Sequence, residues 1–133
     1  MLYAEGDNYR FEVEAGHAYC NVWRRPDLDS SAGADLAEEK IQLFVELAEH
    51  HAVYTLLLDL RVAPSFVGPR TQRALGEAFH AFERARKPLG VVTASAVQGL
   101  QVQRLLALHA PLSGRDFHDF DQAKSWLRSY RER

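Results

Sequence analysis

The sequence predicts an α/β fold, a mixed and mainly parallel sheet with an N-terminal antiparallel hairpin and about four helices. Alternating apolar and polar side chains open the chain, two short apolar runs follow at 53–60 and 89–94, and amphipathic stretches of helical length separate them. Apolar runs that alternate with amphipathic helices form parallel strands covered on both faces. The alternating segment is therefore expected at one edge of the sheet.

The alternating N-terminal segment predicts two antiparallel strands. The first covers 11–15, the turn is expected at Gly16-His17, and the second strand covers 18–24, which is rich in aromatic and β-branched residues. Pro26 ends the second strand, because its nitrogen cannot donate a hydrogen bond to a neighbouring strand.

Apolar residues at helical spacing predict the helices. The first is expected over 34–51, the second over 69–86 with Pro69 in its first turn, and the third between Ser95 and Pro111. Ser95 and Gln98 have the spacing of a capping box. The apolar side of the third helix is expected to carry Val97, Leu100, Leu105 and Leu108.

The chain is expected to end with a brief extended segment and a short helix. The extended segment covers 115–120, and Asp121 is the expected cap of the last helix. No repeat, linker or low-complexity tract interrupts the sequence, so residues 1–133 are expected to form one domain.

Composition excludes several classes of function. The chain has 133 residues, 47% hydrophobic and 26% charged, and a formal net charge of -2. This balance provides no positive field for nucleic acid or an anionic membrane, and no apolar run reaches the roughly 18 residues of a membrane span. Cys20 is the one cysteine, which excludes an internal disulfide and fits a reducing compartment. We therefore expect a cytoplasmic protein without nucleic-acid binding or stable membrane insertion.

Motifs for catalysis and cofactor binding are missing from the sequence. It contains neither the Gly-x-Ser-x-Gly elbow of hydrolases nor a glycine-rich phosphate loop. His50-His51 and His109 lie at predicted helix C-termini, where a partial positive charge is favourable, and no histidine pair has metal-ligand spacing. We expect no enzyme activity, no cofactor and no metal.

The order of the elements and two short segments resemble a known family. The strand at 53–60 ends in Asp59-Leu60, and residues 117–127 read FHDFDQAKSWL. These features resemble the STAS fold, and more closely its SpoIIAA-like branch of small bacterial proteins, which commonly close with a similar Phe, Asp, Ala and Trp-Leu pattern. The resemblance implies a regulatory domain that binds a protein partner. In the family's anti-sigma-factor antagonists, a serine near the start of the helix after that strand is phosphorylated.

The matching stretch of this chain, residues 61–71, lacks the Asp-Ser pair that is typical of those antagonists. Ser65 lies earlier in the loop than the family's serine and Thr71 lies later. Both are candidate phosphorylation sites, because negative charge added beside a helix start and arginines would restructure that surface. Loops that follow parallel strands meet at the carboxyl edge of a sheet, and a helix start there favours a phosphate or carboxylate. An ordinary capped helix is the alternative interpretation. The candidate partner- or ligand-binding residues are Asp59, Arg61, Ser65, Phe66, Val67, Gly68, Arg70, Thr71 and Ser95.

Two functional hypotheses follow from these residues. In the first, the loop 62–71 and the helix after it bind a protein partner or a second copy of the chain. Phe66 and Val67 would make the apolar contacts, and Arg61 and Arg70 would flank them with charge. In the second, the chain carries a small apolar, lipid-like or anionic ligand. The side chains that would line its pocket, or else fill the core, are Phe79, Phe82, Leu105 and Leu106.

Overall fold

The computed structural model describes residues 1–25, 27, 29–63 and 68–130. The strands are β1 (Leu2–Gly6), β2 (Tyr9–Glu14), β3 (His17–Trp23), β4 (Thr55–Val62), β5 (Leu89–Val92) and β6 (Gly114–Phe117). The helices are α1 (Ser30–Glu49), α2 (Pro69–Ala85), α3 (Ala96–His109) and α4 (Phe120–Arg128). None of the helices in this part of the chain is long and apolar enough to cross a membrane.

The strands form one mixed sheet in the order β1-β2-β3-β4-β5-β6. The first three pair antiparallel, and β3 to β6 pair parallel, which confirms the predicted α/β fold with its antiparallel N-terminal hairpin. The strand β1 was not predicted from the sequence. This strand lies exposed at the edge of the sheet, and its pairing with β2 shifts register between Leu2 and Ala4, so it shows no regular alternation of buried side chains.

The hairpin turn lies one residue earlier than the sequence predicted. Ala15 and Gly16 form it with φ of 53° and 86°, and Glu14 pairs with His17 on either side. A two-residue turn with positive φ at both positions matches the right-handed twist of the strands it joins. This geometry explains the glycine between β2 and β3.

Helices cover the two faces of the sheet unequally. Apolar side chains from α1, α2 and α3 pack against one face, where Leu56, Leu58 and Leu60 of β4 join the larger core cluster. Leu57 points the other way and packs in a smaller cluster with α4. We call these the α1–α3 face and the α4 face. A Cβ built on Gly90 would lie 3.2 Å from Leu127 Cδ1, so the missing side chain lets α4 approach β5 closely.

The helix boundaries and one helix face differ from the prediction. Asp29 caps α1, which therefore begins before Ala34, and Asp119 rather than Asp121 caps α4. The predicted apolar side of α3 is wrong in part, because Val102, Leu105 and Leu106 are buried while the other three predicted residues are exposed. Those exposed side chains are Val97, Leu100 and Leu108.

Candidate functional site

Asp59 and Arg61 form a fork at the carboxyl end of β4. The Asp59 carboxylate accepts hydrogen bonds from Arg61 Nε at 3.0 Å and from Arg61 Nη2 at 2.8 Å. It also accepts one from the Arg61 backbone N–H at 3.0 Å. The Asp59 side chain is 11% exposed and that of Arg61 44%, so a mostly buried anion holds a half-exposed cation in one orientation.

The start of α4 completes the surroundings of Arg61. Its guanidinium carbon lies 4.9 Å from the centre of the Phe120 ring, which is the geometry of a cation–π contact. The hydrogen bonds that Arg61 donates to Asp59, with weaker contributions from Asp121 and Asp119, raise the pKa of Arg61. Arg61 is therefore a fixed cation that is supported by carboxylates from two elements.

The start of α2 lies at the same edge of the sheet. Gly68 is the N-cap residue, it has no side chain to cap the helix, and Pro69 follows it without an N–H. Arg70 donates to Glu38 at 3.0 and 2.6 Å and to Asp35 at 2.6 Å, and both partners belong to α1. These hydrogen bonds raise the pKa of Arg70. Its charge is thus paired within the chain and ties α2 to α1.

Ser95 caps α3 and connects it to the end of β4. Its Oγ accepts a hydrogen bond from the Gln98 backbone N–H at 3.1 Å. The Gln98 side chain accepts from the Ala94 N–H at 2.8 Å and donates to the Leu60 carbonyl at 2.7 Å. The expected capping pair therefore forms, and it also fastens the start of α3 beside the fork.

The structure separates the predicted site residues into two groups. Asp59 and Arg61 lie on the α4 face, whereas Arg70 and the half-buried Thr71 lie with α1 and α2 on the opposite face. Ser95 belongs to neither group and caps α3 after the end of β5. Ser65, Phe66 and Val67, which the sequence analysis singled out in the same loop, lie outside the described residues.

The residues that surround Arg61 and Arg70 were not predicted from the sequence. Phe120 belonged to the segment that carried the family resemblance, but nothing in its spacing linked it to Arg61. Asp35 and Glu38 lie on the exposed side of α1, where acidic residues usually face solvent. Contacts between residues so distant in sequence depend on how the helices pack.

The four side chains considered for a ligand pocket belong to the core. Phe79, Phe82, Leu105 and Leu106 are all buried in the cluster of the α1–α3 face. A shallow, open cavity of about 470 Å³ lies instead on the α4 face, and Arg115 and Trp126 are among the residues that line it. The four aromatic and aliphatic residues therefore fill the core, which was the other interpretation of them.

Two histidines make hydrogen bonds between neighbouring elements. His17 Nδ1 lies 2.6 Å from Thr55 Oγ1, between β3 and β4, and His118 Nδ1 lies 3.1 Å from Thr93 Oγ1. In the described ranges, no three His, Cys, Asp or Glu side chains are grouped as a metal ion would require.

Comparisons with known proteins extend the fold assignment. No family model matches the chain, and no curated protein matches it. Among solved structures, it is similar to a crystal structure of an anti-sigma factor antagonist from Mycobacterium paratuberculosis, with a TM-score of 0.64 and 17% sequence identity. The similarity covers 90% of this chain and 92% of that one. The chain therefore has the fold of an anti-sigma factor antagonist, the STAS fold that the order of its elements and two short segments resembled.

Proposed function

We propose that this chain is a non-catalytic regulatory domain of the cytoplasm that binds a protein partner through the carboxyl edge of its sheet. The binding surface comprises the loop 62–71, the start of α2 and the Asp59–Arg61 fork. The fork is the observation that carries the proposal, because it presents a half-exposed guanidinium in a fixed orientation. The likeness to the fold of an anti-sigma factor antagonist supports a role in protein–protein regulation.

Arg61 suits the centre of such a surface. Asp59 occupies Nε–H and one hydrogen of Nη2, so three of the five guanidinium N–H groups stay available for a carboxylate or carbonyl of the partner. Because Asp59 and Phe120 already fix the side chain, binding costs little rotamer entropy. Arginine is also enriched among the residues that dominate interface energies.

The α2 side of the surface offers a point of regulation. A phosphate on Thr71 would add negative charge at the start of α2, and the first turn of a helix favours anions. Ser65 is the second candidate for this modification. The phosphate on Thr71 would also compete with Glu38 and Asp35 for Arg70. Phosphorylation would therefore change both the charge of this surface and the contact between α1 and α2.

The remaining parts of the proposal have physical support of their own. One sheet takes strands from near both ends of the chain, which supports residues 1–133 as one functional unit. Cys20 is buried and unpaired, which fits the reducing cytoplasm. The alternative to binding another protein is that two copies of this chain associate through the same edge.

Affinity capture from the native host tests the surface. We expect the wild-type chain to retain a defined partner, Arg61→Glu to lose it, and Arg61→Lys to weaken it because lysine cannot form the fork. Arg128→Glu, at the exposed end of α4, is the matched control and retains the partner. The proposal fails if Arg61→Glu folds and captures the same partner in the same amount.

Mass measurements test regulation and the ligand alternative. An intact mass from the native host that exceeds the sequence mass by one phosphate, and that returns to it in Thr71→Ala or Ser65→Ala, supports phosphorylation at that residue. Native mass spectrometry of freshly purified protein distinguishes the second hypothesis. An apolar adduct that survives purification would favour a ligand carrier, whereas a clean mass of the bare chain favours a protein-binding domain.

A further inference from the structure

The outward side of α3 exposes a row of large aliphatic side chains. Val97, Leu100 and Leu108 expose 69%, 64% and 69% of their surface, although the opposite side of the same helix is buried in the core. At about 100° per residue, the three fall within an arc of about 80° around the helix. We call these three residues the α3 stripe.

Single exposed aliphatic residues are ordinary, but a row of them on one helix indicates a contact surface. From Val97 to Leu108 the stripe spans about 16 Å, or about three helical turns. Side chains at such spacing form the ridge against which a second helix packs. The length and shape of the stripe therefore suit a short helix.

The charge of Arg104 indicates which kind of partner helix would bind the α3 stripe. Arg104 lies within the same arc and is exposed, and no ion pair joins it to any residue in the described part of the chain. Gln103 of α3 donates a hydrogen bond to Asp116 at 3.0 Å, but Gln103 lies outside this arc. An apolar row with an exposed cation near its middle is complementary to a helix whose apolar face is flanked by acidic residues.

A second copy of the chain fits this surface less well. Antiparallel pairing of two α3 helices about a two-fold axis would place Arg104 of both copies within about one turn of the centre, where like charges repel. Three aliphatic side chains also supply far less than the roughly 800 Å² per partner of a standard stable interface. The stripe is suited to one arm of a larger or transient complex.

We propose that the α3 stripe, with Arg104, docks an acidic amphipathic helix of a protein partner. This inference rests on the proposed function as a protein-binding domain and extends its surface. The two regions approach each other at the carboxyl edge, because α3 begins at Ser95 and Gln98 binds the Leu60 carbonyl beside the fork. A partner could contact Arg61 and the α3 stripe together.

Fluorescence anisotropy with two labelled peptides tests the inference. Both peptides are amphipathic helices of about five turns with leucine on one face, and they differ only in flanking residues, glutamate in one and lysine in the other. We expect the full chain to bind the acidic peptide at least about tenfold more tightly. Leu100→Glu and Arg104→Glu should each weaken that binding by about tenfold or more, and Arg104→Glu should raise affinity for the basic peptide.

The controls separate folding from binding. Leu100 and Arg104 are exposed, so both variants should keep the wild-type thermal midpoint. If Leu100→Glu lowers the midpoint, Leu100→Ser replaces it in the binding experiment. Arg128→Glu changes the same charge on the α4 face and should bind the acidic peptide as the wild type does. Equal affinity for the two peptides, or unchanged affinity in both stripe variants, overturns the inference. So does a dimer in light scattering that Leu100→Glu abolishes, because a second copy would then occupy the stripe.

Failure of this inference is distinguishable from failure of the proposed function. If Arg61→Glu loses the native partner while Leu100→Glu and Arg104→Glu retain it, the carboxyl edge binds and the stripe does not. If the acidic peptide binds in an Arg104-dependent way while Arg61→Glu keeps its partner, the stripe binds and the proposed role of the fork is wrong.

Discussion

Replacing Gly16 by alanine tests the turn that sets the register between β2 and β3. Gly16 has a φ of 86°, a conformation that costs a residue with a Cβ about 1 to 2 kcal/mol. A Cβ at this position would also collide with the Tyr54 ring and lie 3.3 Å from the Ala52 carbonyl oxygen. The substitution therefore strains the backbone and displaces a neighbour at the same time.

The expected magnitude follows from opposing contributions. Alanine restricts the unfolded chain more than glycine does, which raises the free energy of unfolding by about 0.4 to 1 kcal/mol. The Tyr54 side chain is 48% exposed and can move, so the ring contact adds little to the backbone cost. We expect Gly16→Ala to lower the free energy of unfolding by about 1 kcal/mol.

Two control variants should change stability in the opposite direction. Gly33 lies in α1, and a Cβ built there meets no atom within 4 Å, so Gly33→Ala should raise the free energy of unfolding by about 0.5 to 1 kcal/mol. Ala15 has a φ of 53°, and Ala15→Asn creates the Asn-Gly pair that this turn favours, which should also stabilise the chain.

Urea unfolding followed by circular dichroism measures all three variants against the wild type. With the usual dependence of stability on urea, the expected differences between Gly16→Ala and Gly33→Ala correspond to midpoints on the order of 1 M apart. A Gly16→Ala midpoint equal to or above that of the wild type would refute the positive-φ turn. Equal shifts in Gly16→Ala and Gly33→Ala would show that glycine content, and not turn geometry, decides the result.

Other predictions follow from packing and charge. Gly114→Val should lower the unfolding free energy by about 1 to 3 kcal/mol, because the valine side chain would collide with Leu106. Unchanged thermal stability would contradict this contact between β6 and α3. Burial raises the pKa of Cys20 from 9.0 to about 12, so its contribution to stability is present below pH 9 and is lost as the pH rises toward 12. The unfolding free energy of Cys20→Ala should therefore fall less steeply between those pH values than that of the wild type. If the thiol of the native protein reacts as fast as that of the urea-unfolded protein, Cys20 is not buried. Arg70→Met should lower the thermal midpoint slightly at low salt and much less at about 1 M salt, whereas an equal loss at both would show that contact with Glu38 is not electrostatic.

Local patterns predicted the strands and helices well where one kind of periodicity dominated. The run at 53–60 has no alternation because both faces of β4 are covered, and that property is visible in the sequence itself. The strand β1 was missed for the converse reason. It is an exposed edge strand with a register shift, so no buried face imposes a pattern on its residues.

In the candidate site, too, some contacts could be expected from the sequence and others could not. Asp59 and Arg61 are two residues apart in a strand, so a shared face could be expected from the sequence, and the structure joins them in a fork. The Phe120 ring beneath Arg61 and the α1 carboxylates around Arg70 come from distant parts of the chain. Only the packing of α4 and α1 against the sheet brings these groups within contact distance.

The sequence by itself determined the order of strands and helices after β1, the antiparallel hairpin and the parallel remainder, since these depend on side-chain periodicity along the chain. It could not decide which side of α3 enters the core, because aliphatic residues occur on both sides of that helix. Tertiary structure decided this question: Val102 and Leu106 fit against the sheet, and Val97, Leu100 and Leu108 were left facing outward. Close packing admits one face of a helix to a given groove, and that choice depends on the neighbouring elements and not on the helix alone.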